Sequence, residues 1–146
     1  MMKPARLIIL LFALFIIACE KNNEKAAPSI DFVIGSWFNP QYNDSIVTYD
    51  RSEGLVDNEY GFSFNENETF IERKNAGWCG TPPIFYADFD GTWSKNDSII
   101  KITVDYWGGT AEYTWKVLSV DELTMKIQKI EEIYNLEKNY TTAFLP

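Results

Sequence analysis

The sequence predicts an all-β fold, an antiparallel meander that closes into a barrel of about eight to ten strands. From residue 33 onward, apolar and polar residues alternate in short segments, separated by turn-forming residues about every eight to twelve positions. No segment carries convincing helical periodicity. A closed barrel leaves no exposed sheet edge, and this favours closure of a sheet with so many short strands.

The strands predicted in the first half of this region are residues 33–38, 45–49, 59–64, 69–73, 84–89 and 91–93. Phe62 and Phe64 alternate with smaller residues, so both rings lie on one face of their strand. Residues 65–68 read Asn-Glu-Asn-Glu and form a turn into the next strand. Residues 77–83 form a loop that contains two consecutive prolines.

The strands predicted in the second half are residues 98–106, 110–118, 123–128, 130–134 and 140–145. Ile100, Ile102 and Val104 alternate with polar residues, and so do Tyr113, Trp115 and Val117, and Leu123, Met125 and Ile127. Gly108-Gly109 is a strong hairpin signal between two of these strands.

The N-terminus is typical of a lipoprotein signal peptide. Lys3 and Arg6 precede an unbroken apolar run, residues 7–17, which is well short of the ~20 residues that a membrane-spanning helix needs. The following Ile-Ile-Ala-Cys resembles a lipobox, with Cys19 as the residue that receives lipid, including palmitate. An ordinary secretory signal with a chance cysteine is the alternative. The anchor predicts removal of residues 1–18 and attachment to a membrane of the cell envelope.

Three segments follow from this interpretation. Residues 1–18 are a signal peptide, residues 19–29 are a polar, flexible tether, and residues 30–146 are one barrel domain. We expect the outer membrane as the location, with the periplasmic and surface faces both open. Acidic residues near the start of the tether, Glu20 and Glu24, weakly favour surface export.

The charge of the chain argues against nucleic acid as a partner. The formal net charge is −8, and without Lys3 and Arg6 there remain 11 basic and 21 acidic residues. Such a domain repels phosphate backbones, and no basic stripe offsets the field. Membrane attachment must therefore come from the lipid anchor.

Catalysis is disfavoured by the side chains that are missing. The sequence contains no histidine, which removes histidine-activated nucleophiles and imidazole metal ligands. Cys79 is the only thiol left once Cys19 carries lipid. It is either buried as a small apolar residue, which is favoured, or free for an intermolecular bond. The surrounding Trp-Cys-Gly-Thr-Pro looks like a thioredoxin redox loop, but the second cysteine that a dithiol cycle needs is missing. We expect no enzyme activity, no metal site and no cofactor.

Four short stretches occur in an order that resembles lipocalin-like lipoproteins of Bacteroidetes. They are residues 34–38, 62–70, 90–93 and 117–125. Gly35-Ser36-Trp37 is similar to the Gly-x-Trp element of lipocalins, in which the tryptophan plugs the closed end of the barrel. The resemblance implies a lipocalin-like barrel, and it implies little about activity because one fold supports many functions.

Aromatic side chains are the remaining candidates for function. We expect a filled core or a pocket for a small apolar or sugar-like ligand on the inward faces. The candidate ligand-binding residues are Trp37, Phe62, Phe64, Trp93, Tyr113 and Trp115. The primary hypothesis is a non-catalytic protein that binds a small apolar ligand in the barrel. The alternative is an envelope interaction module with a filled barrel, which would use exposed Trp78 and Trp107 to bind a protein partner.

Two Asp-Ser-Ile stretches resemble O-glycosylation acceptors in Bacteroidetes, with Ser45 and Ser98 as the acceptor residues. Turn chemistry is the alternative explanation, because aspartate and serine commonly begin turns.

Overall fold

The computed structural model describes residues 30–76 and 84–136. These residues form one helical turn and eight strands that close into an antiparallel barrel, which confirms the predicted fold class. The elements are α1 (Ile30–Val33), β1 (Gly35–Asn43), β2 (Ile46–Ser52), β3 (Gly61–Phe64), β4 (Thr69–Asn75), β5 (Tyr86–Asn96), β6 (Ile99–Tyr106), β7 (Gly109–Val120) and β8 (Thr124–Leu136). The predicted strand at 140–145 and the whole of the predicted 77–83 loop lie outside the described residues.

The strand order around the barrel is β1-β2-β8-β7-β6-β5-β4-β3, with β3 closing against β1. Strands β3 to β8 follow one another as the predicted meander. The β1–β2 hairpin is inserted between the two ends of this meander, so that β2 pairs with β8 and β1 pairs with β3. Residues 53–60 must therefore pass across β1 to connect β2 with β3.

The two ends of the barrel differ. One end, called the closed end, carries α1 and the turns at residues 65–68, 97–98 and 121–123. The opposite end, called the open end, carries the turns at residues 44–45 and 107–108. There β4 ends, β5 begins and β8 terminates.

Strand β5 is continuous where the sequence predicted two strands. The prediction separated residues 84–89 from 91–93 at Asp90. Gly91 instead pairs with Val104 on β6 at a close approach of the two backbones. A Cβ atom on Gly91 would collide with the carbonyl oxygen of Thr103, so the glycine serves strand packing and makes no turn.

Strand β8 is also continuous, and a bulge explains why the sequence predicted a break near residue 129. Thr114 pairs with Glu131 and Trp115 pairs with Lys129, which leaves Ile130 as an extra residue. The extra residue interrupts the alternation of inward and outward side chains. Beyond it, Glu132 and Tyr134 border the open-end cavity together with Lys129.

Leu123 departs from its predicted face. The prediction aligned it with Met125 and Ile127, which are both fully buried, whereas Leu123 is 75% exposed. Asp121 holds the preceding turn, because its Oδ1 accepts hydrogen bonds from the backbone N–H groups of Leu123 and Thr124 at 2.9 and 2.8 Å. Strand β8 therefore begins only at Thr124.

Candidate functional site

The six residues predicted to bind a ligand all point into the barrel, with exposures of 5% or less. Four of them pack ring against ring in its middle. Phe62 lies 5.3 Å from Trp115 and 5.4 Å from Phe64, and Phe64 lies 4.9 Å from Trp93, measured between ring centroids. These rings occupy the interior space that an apolar ligand would need.

Trp37 lies at the closed end beneath α1. Its indole Nε1 donates a hydrogen bond to the carbonyl oxygen of Val33 at 2.9 Å. The Arg51 guanidinium carbon lies 4.2 Å from the centroid of the Trp37 ring, and the same side chain donates to the carbonyl oxygens of Ile34 and Phe32. Trp37 is therefore fully buried at the closed end, held by contacts with α1 and Arg51.

Among these six residues, Tyr113 borders a cavity. This cavity lies at the open end and has a volume of about 220 Å³. It is smaller than the ~300–1,000 Å³ of pockets for drug-sized ligands, so its size suits a small molecule. Other residues that line it include Tyr60, Glu72, Lys74, Tyr106 and Tyr134.

The most buried polar group of the cavity is the carboxylate of Glu72, a residue that is 2% exposed. Its Oε1 accepts a hydrogen bond from Tyr60 Oη at 2.8 Å. Its Oε2 accepts one from Lys74 Nζ at 2.6 Å and one from Tyr113 Oη at 3.2 Å. Three donors therefore satisfy a charge that would be costly to bury alone.

Lys74 is surrounded by aromatic rings as well as by its acidic partner. Its Nζ lies 5.3 Å from the ring centroid of Phe89 and 5.9 Å from those of Tyr106 and Tyr113. Aromatic faces attract cations, so these rings hold the ammonium group beside Glu72.

Three tyrosine hydroxyls of the cavity, those of Tyr60, Tyr113 and Tyr134, have a raised pKa and stay protonated above the ordinary range. Burial, followed by the negative charge of Glu72, raises the pKa of Tyr60 and of Tyr113 well above the ordinary value. Burial also raises the pKa of Tyr134. These phenols therefore act as neutral hydrogen-bonding groups at physiological pH.

A second ion pair lies at the rim. Lys129 Nζ lies 2.8 Å from Glu132 Oε1, and Lys129 also lies 5.9 Å from the Tyr42 ring centroid. With the Glu72–Lys74 pair, the cavity carries two positive and two negative side chains. The formal charges of these four side chains therefore sum to zero.

Sequence reasoning missed Glu72 and Lys74. The signal was present, because Phe70 is buried and every second residue of β4 shares its face, which directs Glu72 and Lys74 inward. Charged residues at inward positions are rare, so two of them on one strand are an informative signal.

Three predicted features cannot be placed. Cys19, Trp78 and Cys79 lie outside the described residues. Trp107 lies in the β6–β7 turn at the open end, borders the cavity and is 38% exposed. Ser45 is exposed in the β1–β2 turn, and Ser98 is half-buried in the β5–β6 turn.

The fold and the site together define a closed eight-stranded antiparallel barrel with a small polar cavity at its open end. This chain matches no protein-family model, no curated protein and no solved structure. Within residues 30–76 and 84–136, no group of three acidic or cysteine side chains is arranged to hold a metal ion. No helix in the described part of the chain is long and apolar enough to cross a membrane.

Proposed function

We propose that this chain is a lipid-anchored, non-catalytic protein of the cell envelope that binds a small, uncharged, hydroxyl-bearing ligand in the open-end cavity. A single sugar ring has the chemistry and the size that fit. The observation that carries the proposal is the cavity itself, a polar space of about 220 Å³ with a buried Glu72–Lys74 pair and aromatic walls.

The charge balance of the cavity supports an uncharged ligand. An anion would lie near Glu72 and Glu132, and a cation would lie near Lys74 and Lys129. Placing like charges together at a binding site is unfavourable. A neutral ligand with hydroxyl groups can instead exchange hydrogen bonds with carboxylate, ammonium and phenol groups alike.

The aromatic walls support a ring-shaped ligand with C–H groups on its faces. Tyr106 lies 5.6 Å from both Trp107 and Tyr134, measured between ring centroids, with the rings nearly perpendicular. The negative face of an aromatic ring attracts the weakly positive C–H groups of a sugar. The purely apolar ligand expected from the sequence fits less well, because charged side chains line the cavity.

The hydrogen bonds that the Glu72 carboxylate already accepts from the protein favour a binding role over a catalytic one. A general base must reach the proton that it abstracts, and the two oxygens of Glu72 already accept three hydrogen bonds from the protein. The absence of histidine in the sequence removes the commonest alternative base.

The lipid anchor is supported by the sequence alone. Lys3, Arg6, the apolar run and the residues before Cys19 have the order that lipid attachment requires. Two or three acyl chains on Cys19 would hold the barrel stably at a membrane, whereas a single chain gives marginal binding.

Native mass spectrometry of the protein purified gently from its own organism tests the proposal. We expect an added mass that disappears on denaturation and that corresponds to a small neutral compound. A chain that carries only its lipid, with no such mass under any gentle condition, would argue for the alternative below.

The alternative is an envelope protein that binds a protein partner while its barrel stays filled. One observation favours it: β8 continues past the last residue paired with β2, and Ile133 and Leu136 on this extension are 41% and 70% exposed. Exposed apolar side chains of this kind are typical of interaction surfaces. Crosslinking in intact cells that recovers one partner through this extension would favour the alternative.

A further inference from the structure

We propose that the closed end of the barrel rests on the bilayer, with Phe32 and Leu123 entering the interface between headgroups and acyl chains. The inference rests on the lipid anchor of the proposed function. It adds the orientation of the barrel, with the open-end cavity facing away from the membrane.

The closed end presents an apolar patch that consists of Phe32 and Leu123. Phe32 is 42% exposed and Leu123 is 75% exposed, and both border one shallow depression. Arg51 fixes the two segments together: its backbone N–H donates to the carbonyl oxygen of Leu123 at 2.8 Å, and its guanidinium donates to that of Phe32. The patch is therefore connected to the barrel through Arg51.

The position of the anchor brings this patch to the membrane. Cys19 lies eleven residues before Ile30, the first residue of α1. Even fully extended, that segment spans at most about 40 Å. The open end lies at the far end of β8, a strand of 13 residues that is itself about 43 Å long. The chain enters the barrel at the closed end, so that end is the one held nearest the lipid.

The charges beside the patch determine which lipids it prefers. Asp121 and Glu122 border the same depression, and Asp121 is held in place by the hydrogen bonds to the backbone of the turn. Two acidic side chains disfavour anionic headgroups, so insertion of the two apolar side chains drives the contact. We expect the contact between the patch and the bilayer to be strongest with zwitterionic lipid and weaker when anionic lipid is added.

Two leucines at opposite ends of β8 provide a matched experiment. Leu123 precedes the strand at the closed end, and Leu136 ends it at the open end with a similar exposure of 70%. Leu123→Cys and Leu136→Cys are made separately in full-length Cys79→Ser protein and labelled with an environment-sensitive fluorophore. The lipidated chains are then reconstituted in phosphatidylcholine vesicles that carry nitroxide-labelled lipid.

We expect several-fold stronger quenching at position 123 than at position 136. Equal quenching at both positions, or stronger quenching at 136, would overturn the orientation while leaving the anchor intact, provided that the protein floats with the vesicles. Protein that does not float with them would show that the anchor itself fails, and the orientation would fail with it. Circular dichroism of both labelled proteins confirms that the barrel is folded.

Discussion

Glu72 and Lys74 lie two residues apart on β4, and their side chains meet inside the open end, with Lys74 Nζ 2.6 Å from Glu72 Oε2. The two side chains are only 3% and 16% exposed. An ion pair in this position contributes less to stability than an apolar pair would, since both charges lose water. Its presence in a barrel whose core is otherwise apolar is the feature that points most directly to a binding site.

Removal of either charge should destabilise the barrel. We expect Glu72→Gln to lower the free energy of unfolding by about 3 kcal/mol, because it leaves the ammonium of Lys74 buried without a counter-charge. Lys74→Met should have a comparable effect through the uncompensated carboxylate. The double variant should lose less than the sum of the two, and urea denaturation of all four proteins measures the difference.

Glu131→Gln is the control for this comparison of single and double variants, because Glu131 is exposed on β8. It should change the free energy of unfolding by no more than about 0.5 kcal/mol. Additive effects of Glu72→Gln and Lys74→Met would contradict a coupled pair inside the cavity.

Arg51 should stabilise the closed end. Arg51→Met keeps the length of the side chain but removes the hydrogen bonds to the carbonyls of Ile34 and Phe32 and the contact with the Trp37 ring. We expect a loss of about 2 kcal/mol in the free energy of unfolding. Hydrogen exchange should be faster around α1, while the open end keeps its protection. Lys101→Met, on the exposed face of β6, is the control and should have little effect.

The buried tyrosines predict a loss of stability at alkaline pH. The pKa of Tyr60 and of Tyr113 is raised in the folded state above the ordinary value of 10.0. Above that pH the unfolded chain releases protons that the folded chain retains, so unfolding becomes more favourable. Below about pH 9 these tyrosines should not change the free energy of unfolding. The free energy of unfolding should fall as the pH rises through 10 and beyond.

Urea midpoints measured against pH test this expectation, with tyrosinate absorbance of the folded protein recorded in parallel. Tyr60→Phe should make the alkaline decline shallower by removing one such group. If every tyrosine of the folded protein ionises near pH 10 while the barrel stays intact, the burial of these hydroxyls is contradicted.

Cys19 should carry the lipid. Full-length protein produced in a bacterium should have the mass of a chain that starts at Cys19 with diacylglycerol attached. Cys19→Ser should remove the added mass, whereas Cys79→Ser should leave it unchanged. A mature chain without lipid, cut at another position, would point to an ordinary secretory signal.

The inward faces of the later strands could be predicted from the sequence because alternation is a local property. Ile100, Ile102, Trp115 and Val117 lie where the alternation placed them, with exposures of 2% or less. The pairing of β2 with β8 could not be predicted, since nothing in the local pattern tells which strands meet across a closed sheet.

The site was harder to predict than the fold. The aromatic residues selected from the sequence lie in the core, and the cavity lies next to this core at the open end, beside Tyr113. Tyr134 belongs to the cavity only because the bulge at Ile130 shifts the alternation of β8, and a bulge depends on the partner strand. The α1 turn likewise depends on distant Arg51.

The most direct test of a ligand in the open-end cavity is saturation-transfer NMR with a panel of neutral monosaccharides and three forms of the protein. Tyr134→Ala removes a cavity wall that is 56% exposed, and Tyr86→Ala removes a tyrosine of β5 that borders a different depression. We predict that at least one sugar receives saturation from wild-type protein and Tyr86→Ala, and that Tyr134→Ala loses at least tenfold in affinity. Equal transfer to the sugar from all three proteins, or no transfer from the wild type, would contradict the proposed site.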